Sequence, residues 1–342
     1  MYMFLSAAPR IKCPSNMKTI PSILVTGNLP ASVLDILKGD FQVECHAEDR
    51  PMSRSKLLHS IRDRVGLLSM ITDDINGEFL DHAPKLIMIA NMAVGYNNID
   101  LDAATRRGIL VSNTPGVLTE ATADLAFSLI LGTARRIAEG DRMVREGHFR
   151  FWAPFHFLGR DVSGKTLGII GMGRIGKAVA RRARGFRMPI LYFNRTPLEK
   201  AEEMELNARY VPLTTLLKES DFVSLHIPLS SGTRHFISEK ELAHMKLTAL
   251  LINTSRGPVV DEKALLSALK NGVIAGAGID VYENEPEITP GLEKLEQVLL
   301  LPHVGSATLE TRTRMAAMAA GNLLVGLRGE VPPNLINPEV LR

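Results

Sequence analysis

Aromatic residues are scarce in this chain. They make up 5% of it, with Trp152 the single tryptophan, while 45% of residues are hydrophobic overall. The apolar stock is therefore aliphatic, which suits α/β layers better than an aromatic-rich all-β fold. Cysteine is nearly absent as well. Cys13 and Cys45 make neither a disulfide framework nor a zinc pattern, so a reducing, cytoplasmic setting is expected. An excess of one charge is also missing. Forty basic against 37 acidic side chains leave a net charge of +3, too small and too evenly spread for a nucleic-acid surface. The densest basic cluster, Arg181, Arg182, Arg184 and Arg187, reads as the solvated last turn of a helix. No apolar run reaches the roughly 18 residues of a membrane span. The histidines lack metal-ligand spacing, so no metal is expected. The serine-hydrolase elbow, the zincin motif and the phosphate-binding P-loop are absent.

What is present is a long series of short aliphatic runs. The chain has 342 residues, enough for two domains. Residues 1–20 read as a flexible extension. Residues 3–8 are apolar but short and lack a basic lead-in, which argues against a cleaved signal peptide. Met17 could be the true start, because the regular pattern begins at Ser22. Strands are expected at 23–26, 66–70 and 86–90, with a helix at 33–37. A second series follows at 166–170, 189–193, 222–224, 249–253, 275–279 and 298–301. Short apolar runs alternating with helical stretches imply βαβ units and parallel sheets covered on both faces. Residues 119–137 predict one long helix, apolar on more than one face, that packs between domains or subunits.

The clearest motif follows the first strand of the second series. Gly171-Met172-Gly173-Arg174-Ile175-Gly176 matches G-x-G-x-x-G, with an apolar strand before it and a helix after it. Gly171 permits the tight turn, Gly173 lets backbone approach a pyrophosphate, and Gly176 allows close helix–strand contact. Gly185 is expected as a left-handed C-cap of that helix. Gly276-Ala277-Gly278 lacks a following helix and reads as structural. The next strand ends in Asn194-Arg195-Thr196. No carboxylate stands there to repel a 2′-phosphate, and Arg195 can clamp one, so NADPH is preferred and NADH possible.

Three polar residues follow strands of the second series: Arg256, Glu285 and His303. The blocks carrying them are Asn253-Thr254-Ser255-Arg256-Gly257-Pro258-Val259-Val260-Asp261, Gly278-Ile279-Asp280-Val281-Tyr282-Glu283-Asn284-Glu285-Pro286 and Leu301-Pro302-His303-Val304-Gly305-Ser306-Ala307. In order and spacing they resemble the signature blocks of the D-isomer-specific 2-hydroxyacid dehydrogenases. The likeness runs from about Ser22 onward. The segments 91–100 and 114–119 point, within it, to the glyoxylate and hydroxypyruvate reductases.

The chemistry needs these residue types. Imidazole titrates near working pH, so His303 can protonate a keto oxygen. Glu285 would favour the protonated ring and orient it. Arg256 can hold a carboxylate and polarise the keto group. The resemblance further implies that the backbone of Val94 and Gly95 holds the substrate carboxylate and that Met70 lies near the substrate. It implies that Asp280 binds the nicotinamide carboxamide, and that Pro228, Thr254, Ser255 and Gly305 face the cofactor. His226 is expected in a structural or adenosine-side role.

The resemblance implies two doubly wound parallel-sheet domains, the central one a Rossmann dinucleotide-binding domain inserted in a discontinuous substrate domain. The expected bounds are 21–117 and 304–342 for the substrate domain and 118–303 for the cofactor domain, with the active site in a cleft that closes. A homodimer through 119–137 and the stretch to Gly159 is implied too. Formate dehydrogenases of the superfamily carry glutamine at the Glu285 position, and phosphite dehydrogenases lysine at Val94, so this chain departs from both. A 2-keto-gluconate reductase stays open, as does an NAD(P)-sensing binding protein on the same fold.

Overall fold

The aliphatic runs form strands, and every strand pairs in parallel. The structure is a computed structural model describing residues 20–342. The expected extension, apart from Ile20, lies outside the described residues. The chain divides into two compact units: one ends at Val117 and resumes as Thr308–Arg342, the other is Leu118–Ala307.

The first unit carries β1 (Ser22–Val25), β2 (Gln42–Cys45), β3 (Gly66–Ser69), β4 (Met88–Asn91) and β5 (Leu110–Ser112), in the order β2-β1-β3-β4-β5. This is the flavodoxin-like winding. Successive strand side chains point to opposite faces. Ile23, Val25, Leu68 and Ala90 meet Ala316, Ala319 and Leu323 of the Leu309–Leu327 helix. Leu24, Leu67 and Ile89 meet Phe79, Ile99 and Ala103 on the other side. Glycine at 66 lets this helix pack closely: an added Cβ would sit 2.7 Å from Leu327 Cδ1 and push that side chain aside.

The second unit carries β6 (Leu167–Ile170), β7 (Ile190–Phe193), β8 (Ala208–Tyr210), β9 (Phe222–Leu225), β10 (Leu250–Asn253), β11 (Gly276–Ile279) and β12 (Val298–Leu300). Their order is β12-β11-β10-β9-β6-β7-β8. The winding reverses between β6 and β9, and ligands of such sheets bind at the strands' carboxyl ends beside that switch point. Leu167, Ile169, Tyr192 and Ile252 are covered by Ala126, Leu129 and Ile130 of the Thr119–Ala134 helix and by Ala180 and Ala183 of the Arg174–Gly185 helix. On the other face Ile170, Val223, Leu251 and Ile279 meet Leu216, Leu265 and Leu269. The chain thus has the expected fold class: two doubly wound parallel sheets, the second a Rossmann domain.

Several local expectations give way. Strands β2, β5 and β8 were not expected: they are short strands at sheet edges, and β2 and β8 are only partly buried. The predicted 119–137 helix ends at Ala134; Arg136 turns left-handed at φ 54°, and a second helix runs Ile137–Arg145. Gly185 is the last residue of its helix rather than a left-handed cap, and Arg187 takes the positive φ instead. The arginine cluster is not simply solvated. Arg182 pairs with Glu120 and Asp124, Arg181 with Glu120, and Arg184 donates to the Glu205 carbonyl.

Candidate active site

The strand-to-helix turn after β6 has a distinct demand at each glycine. Gly171 sits at φ 98°, and a Cβ there would lie 2.6 Å from the His226 carbonyl oxygen. Gly173 caps the following helix, with nothing within 4 Å of the place a Cβ would take. A Cβ on Gly176 would overlap the Gly171 carbonyl oxygen. A left-handed turn, an open approach and a tight helix–strand contact are what a bound pyrophosphate needs, beneath the unsatisfied N–H groups of a helix start. Asn194 anchors this loop from the end of β7, its Oδ1 accepting from Met172 N at 2.7 Å. Arg174, Arg195 and Thr196 are exposed around it, while Ile175 is half-buried. Pro228 is exposed beyond β9, and its carbonyl accepts from Thr233 Oγ1. Buried Thr254 has an Oγ1 with no partner. These residues fit a dinucleotide.

The turn after β10 is built by Asn253. Its Oδ1 accepts from Ser255 N at 3.0 Å and Ser255 Oγ at 2.8 Å, and its Nδ2 donates to the Arg256 carbonyl at 3.1 Å. The Arg256 guanidinium donates to the Ser255 carbonyl at 2.8 Å. Burial pulls Arg256 below the ordinary arginine range, while the Glu285 charge opposes that shift. Gly257 lies so close to the Tyr282 backbone that no side chain would fit.

Glu285 and His303 meet directly. His303 Nδ1 lies 2.7 Å from Glu285 Oε2, and Glu285 Oε1 accepts from Tyr282 N at 3.0 Å. Burial alone would raise the Glu285 carboxyl. The His303 bond and charge, the Tyr282 N–H and the Arg256 charge outweigh it and hold the carboxyl below its usual range. With Nδ1 given to the carboxylate, Nε2 is the nitrogen left to face a reactant. The two side chains are 32% and 35% exposed, so the pair is reachable. His303 takes a left-handed φ of 54°. Asp280 holds that bend: its carbonyl accepts from His303 N at 2.9 Å, and its carboxylate accepts from Val304 N at 2.7 Å and Gly305 N at 2.8 Å. Burial raises the Asp280 carboxyl, partly offset by those N–H donors and by the His303 charge.

The fold therefore gathers Arg256, Glu285, His303, Asp280 and Gly305 at the carboxyl ends of β10, β11 and β12. It places the glycine turn and Asn194 at those of β6 and β7 in the same unit. Met70, Val94 and Gly95 follow β3 and β4 in the first unit. His226 bonds Ser224 Oγ at 2.9 Å, and burial pushes its imidazole down to about 4. Asn253 escaped the sequence reading, although an asparagine ending a strand before a small polar pair is a turn-building pattern.

Comparison with known proteins settles the family. The NAD binding domain of the D-isomer specific 2-hydroxyacid dehydrogenases matches residues 127–305. The chain belongs to this family. It is 53% identical over 325 residues to a glyoxylate reductase of Korarchaeum cryptofilum, covering 94% of this chain and 97% of that one. A glyoxylate reductase of Thermococcus litoralis is 51% identical, covering 94% and 98%. Among solved structures, an NADPH-dependent glyoxylate/hydroxypyruvate reductase of Sinorhizobium meliloti, in complex with NADP and malonate, is 34% identical. Its TM-score is 0.83 over 95% of this chain and 99% of that one. As a D-2-hydroxyacid dehydrogenase, the chain is an NAD(P)-dependent oxidoreductase acting on CH–OH donors. No described helix is long and apolar enough to cross a membrane.

Proposed function

We propose that this dehydrogenase reduces glyoxylate and hydroxypyruvate, to glycolate and D-glycerate, with NADPH preferred and NADH accepted. The observation that carries the reading is the Glu285–His303 pair at 2.7 Å, following β11 and β12. A bound nicotinamide would supply the hydride. His303 then delivers a proton from Nε2 to the carbonyl oxygen, while Glu285 keeps the ring oriented through Nδ1. Arg256 polarises that oxygen and neutralises the substrate carboxylate, which the Val94 and Gly95 N–H groups also receive beside Met70. Gly171, Gly173, Arg174, Ile175 and Gly176 cradle the pyrophosphate, and Arg195 with Thr196 takes the 2′-phosphate. Thr254, Ser255, Asp280, Gly305 and Pro228 line the rest of the nucleotide. A cytoplasmic homodimer is part of the same reading. The names of the relatives support the substrate, and the Sinorhizobium meliloti protein, which bears an NADPH-dependent name, supports the nucleotide.

Initial rates with NADPH and NADH against glyoxylate, hydroxypyruvate, pyruvate and 2-keto-gluconate test this. The highest kcat/KM is expected for glyoxylate or hydroxypyruvate with NADPH. A clear preference for 2-keto-gluconate overturns the substrate. NADPH binding without turnover of any of the four points to a nucleotide-sensing protein.

A further inference from the structure

The carboxyl ends of β1, β3, β4 and β5 in the first unit carry a network of asparagine amides, buried or half-buried, that the reaction scheme does not use. Asn91 ends β4, opposite Ser69 of β3. It is fully buried, and its Oδ1 accepts from Ser69 Oγ at 3.0 Å. Its Nδ2 donates to the Gly95 carbonyl at 3.0 Å. Asn113, just past β5, donates from Nδ2 to the Val94 carbonyl at 2.8 Å. Both carbonyls of the Val94–Gly95 loop are thus tied back, and among the described residues the N–H groups of Val94 and Gly95 make no hydrogen bond.

A third asparagine joins this loop to the one bearing Met70. Asn98 Nδ2 donates to the Met70 carbonyl at 3.2 Å and the Asp73 carbonyl at 3.1 Å, and Asn98 Oδ1 lies 3.3 Å from Asn91 Nδ2. On its other side, Met70 N donates to buried Asp73 Oδ2 at 2.7 Å and to Thr26 Oγ1 at 3.2 Å. Met70 is therefore held at both its N–H and its carbonyl, and Asn98 and Asn91 form the link between the two loops. A hydrogen-bonded polar network shielded from solvent rigidifies the backbone it serves. An anion seat made of peptide N–H groups works only if those groups stay aimed.

We propose that Asn91, Asn98 and Asn113 are positioning residues that hold the Val94–Gly95 N–H groups and Met70 as one preformed seat for the carboxylate end of the substrate. This rests on the 2-oxo acid reading above. Asn98 acts through the loops it joins.

The near-isosteric, uncharged variant Asn98→Leu decides the matter, because it keeps the volume, adds no charge that would repel an anion, and places a non-donor against two carbonyls. The KM for glyoxylate should rise about tenfold, the worth of one to two lost hydrogen bonds. The kcat at saturation and the Kd for NADPH should stay within about threefold, since the glycine turn belongs to the other unit. The Kd for oxalate, measured by calorimetry, should weaken with the KM. Unchanged KM and unchanged oxalate binding overturn the proposal, even if the thermal midpoint falls. If the parent turns over no 2-oxo acid, the functional reading fails by itself and the oxalate arm still judges the seat. Should Asn98→Leu not fold, Asn113→Ser frees the Val94 carbonyl alone and is read the same way.

Discussion

At the scale of single residues, two histidines at strand ends differ in kind. His303 sits on a left-handed bend with Nδ1 on a carboxylate and a third of its side chain open. Replacing it by alanine should lower kcat by roughly 10²–10⁴-fold, the worth of a positioned proton donor. The Kd for NADPH should hold; near-normal turnover would remove His303 from the chemistry. His226 has its imidazole pushed down to about 4 by burial. An unfolded histidine titrates near 6.5, so between about 6.5 and 4 the unfolded chain takes up a proton that the folded one refuses. Stability should therefore fall as pH drops through that window, by no more than about 3 kcal/mol at its lower end. His226→Gln lacks that proton and should lose less of its thermal midpoint between pH 7.5 and 5. Equal losses in both proteins would show that His226 accepts the proton freely.

Elements decide the nucleotide. The end of β7 presents Asn194 toward the glycine turn and leaves Arg195 exposed. A charge-assisted arginine–phosphate contact is worth about 1.5–3 kcal/mol, and solvent near the surface brings it to the lower end. The expected preference for NADPH is therefore about tenfold, without exclusion of NADH. The double change Asn194→Asp with Arg195→Ala should invert the preference. It should spare kcat with NADH, because an aspartate oxygen can still accept from Met172 N. The measurement is kcat/KM for both nucleotides in both proteins. A parent that favours NADH, or a double variant that still favours NADPH, would show that Arg195 does not read the phosphate.

On the scale of the whole molecule, the question is association. The resemblance implies a dimer through 119–137 and the stretch to Gly159, and within the first of these Ala126, Phe127, Leu129 and Ile130 are buried in their own unit's core. The uncovered apolar surface lies further on. Trp152 and Phe155 are 77% and 87% exposed, with Phe149, Phe151 and Leu158 exposed beside them in sequence. Exposed apolar groups on this scale mark contact surfaces. The parent should be a homodimer by light scattering at micromolar concentration, and Trp152→Ser with Phe155→Ser should shift it toward monomer. A monomeric parent would refute the dimer, and a dimeric double variant would move the interface elsewhere.

What the sequence determined by itself was whatever is encoded locally. Aliphatic runs of four or five residues mark strands buried on both faces, and the glycine spacing marks a turn whose two steric demands and one open approach fall within six residues. The blocks around Arg256, Glu285 and His303 follow such strands, so parallel winding had to bring them to one edge. Tertiary structure alone decided the rest. β2 and β8 are edge strands with mixed burial, and their polarity hides them. Arg136 breaks a helix that apolar patterning alone would continue. Asp280 turned out to accept from Val304 and Gly305, 24 and 25 residues away. Asn91, Asn98 and Asn113 found their carbonyls across loops. An apolar side chain announces its burial through its own chemistry, whereas an amide or carboxylate names no partner until the fold has placed one against it.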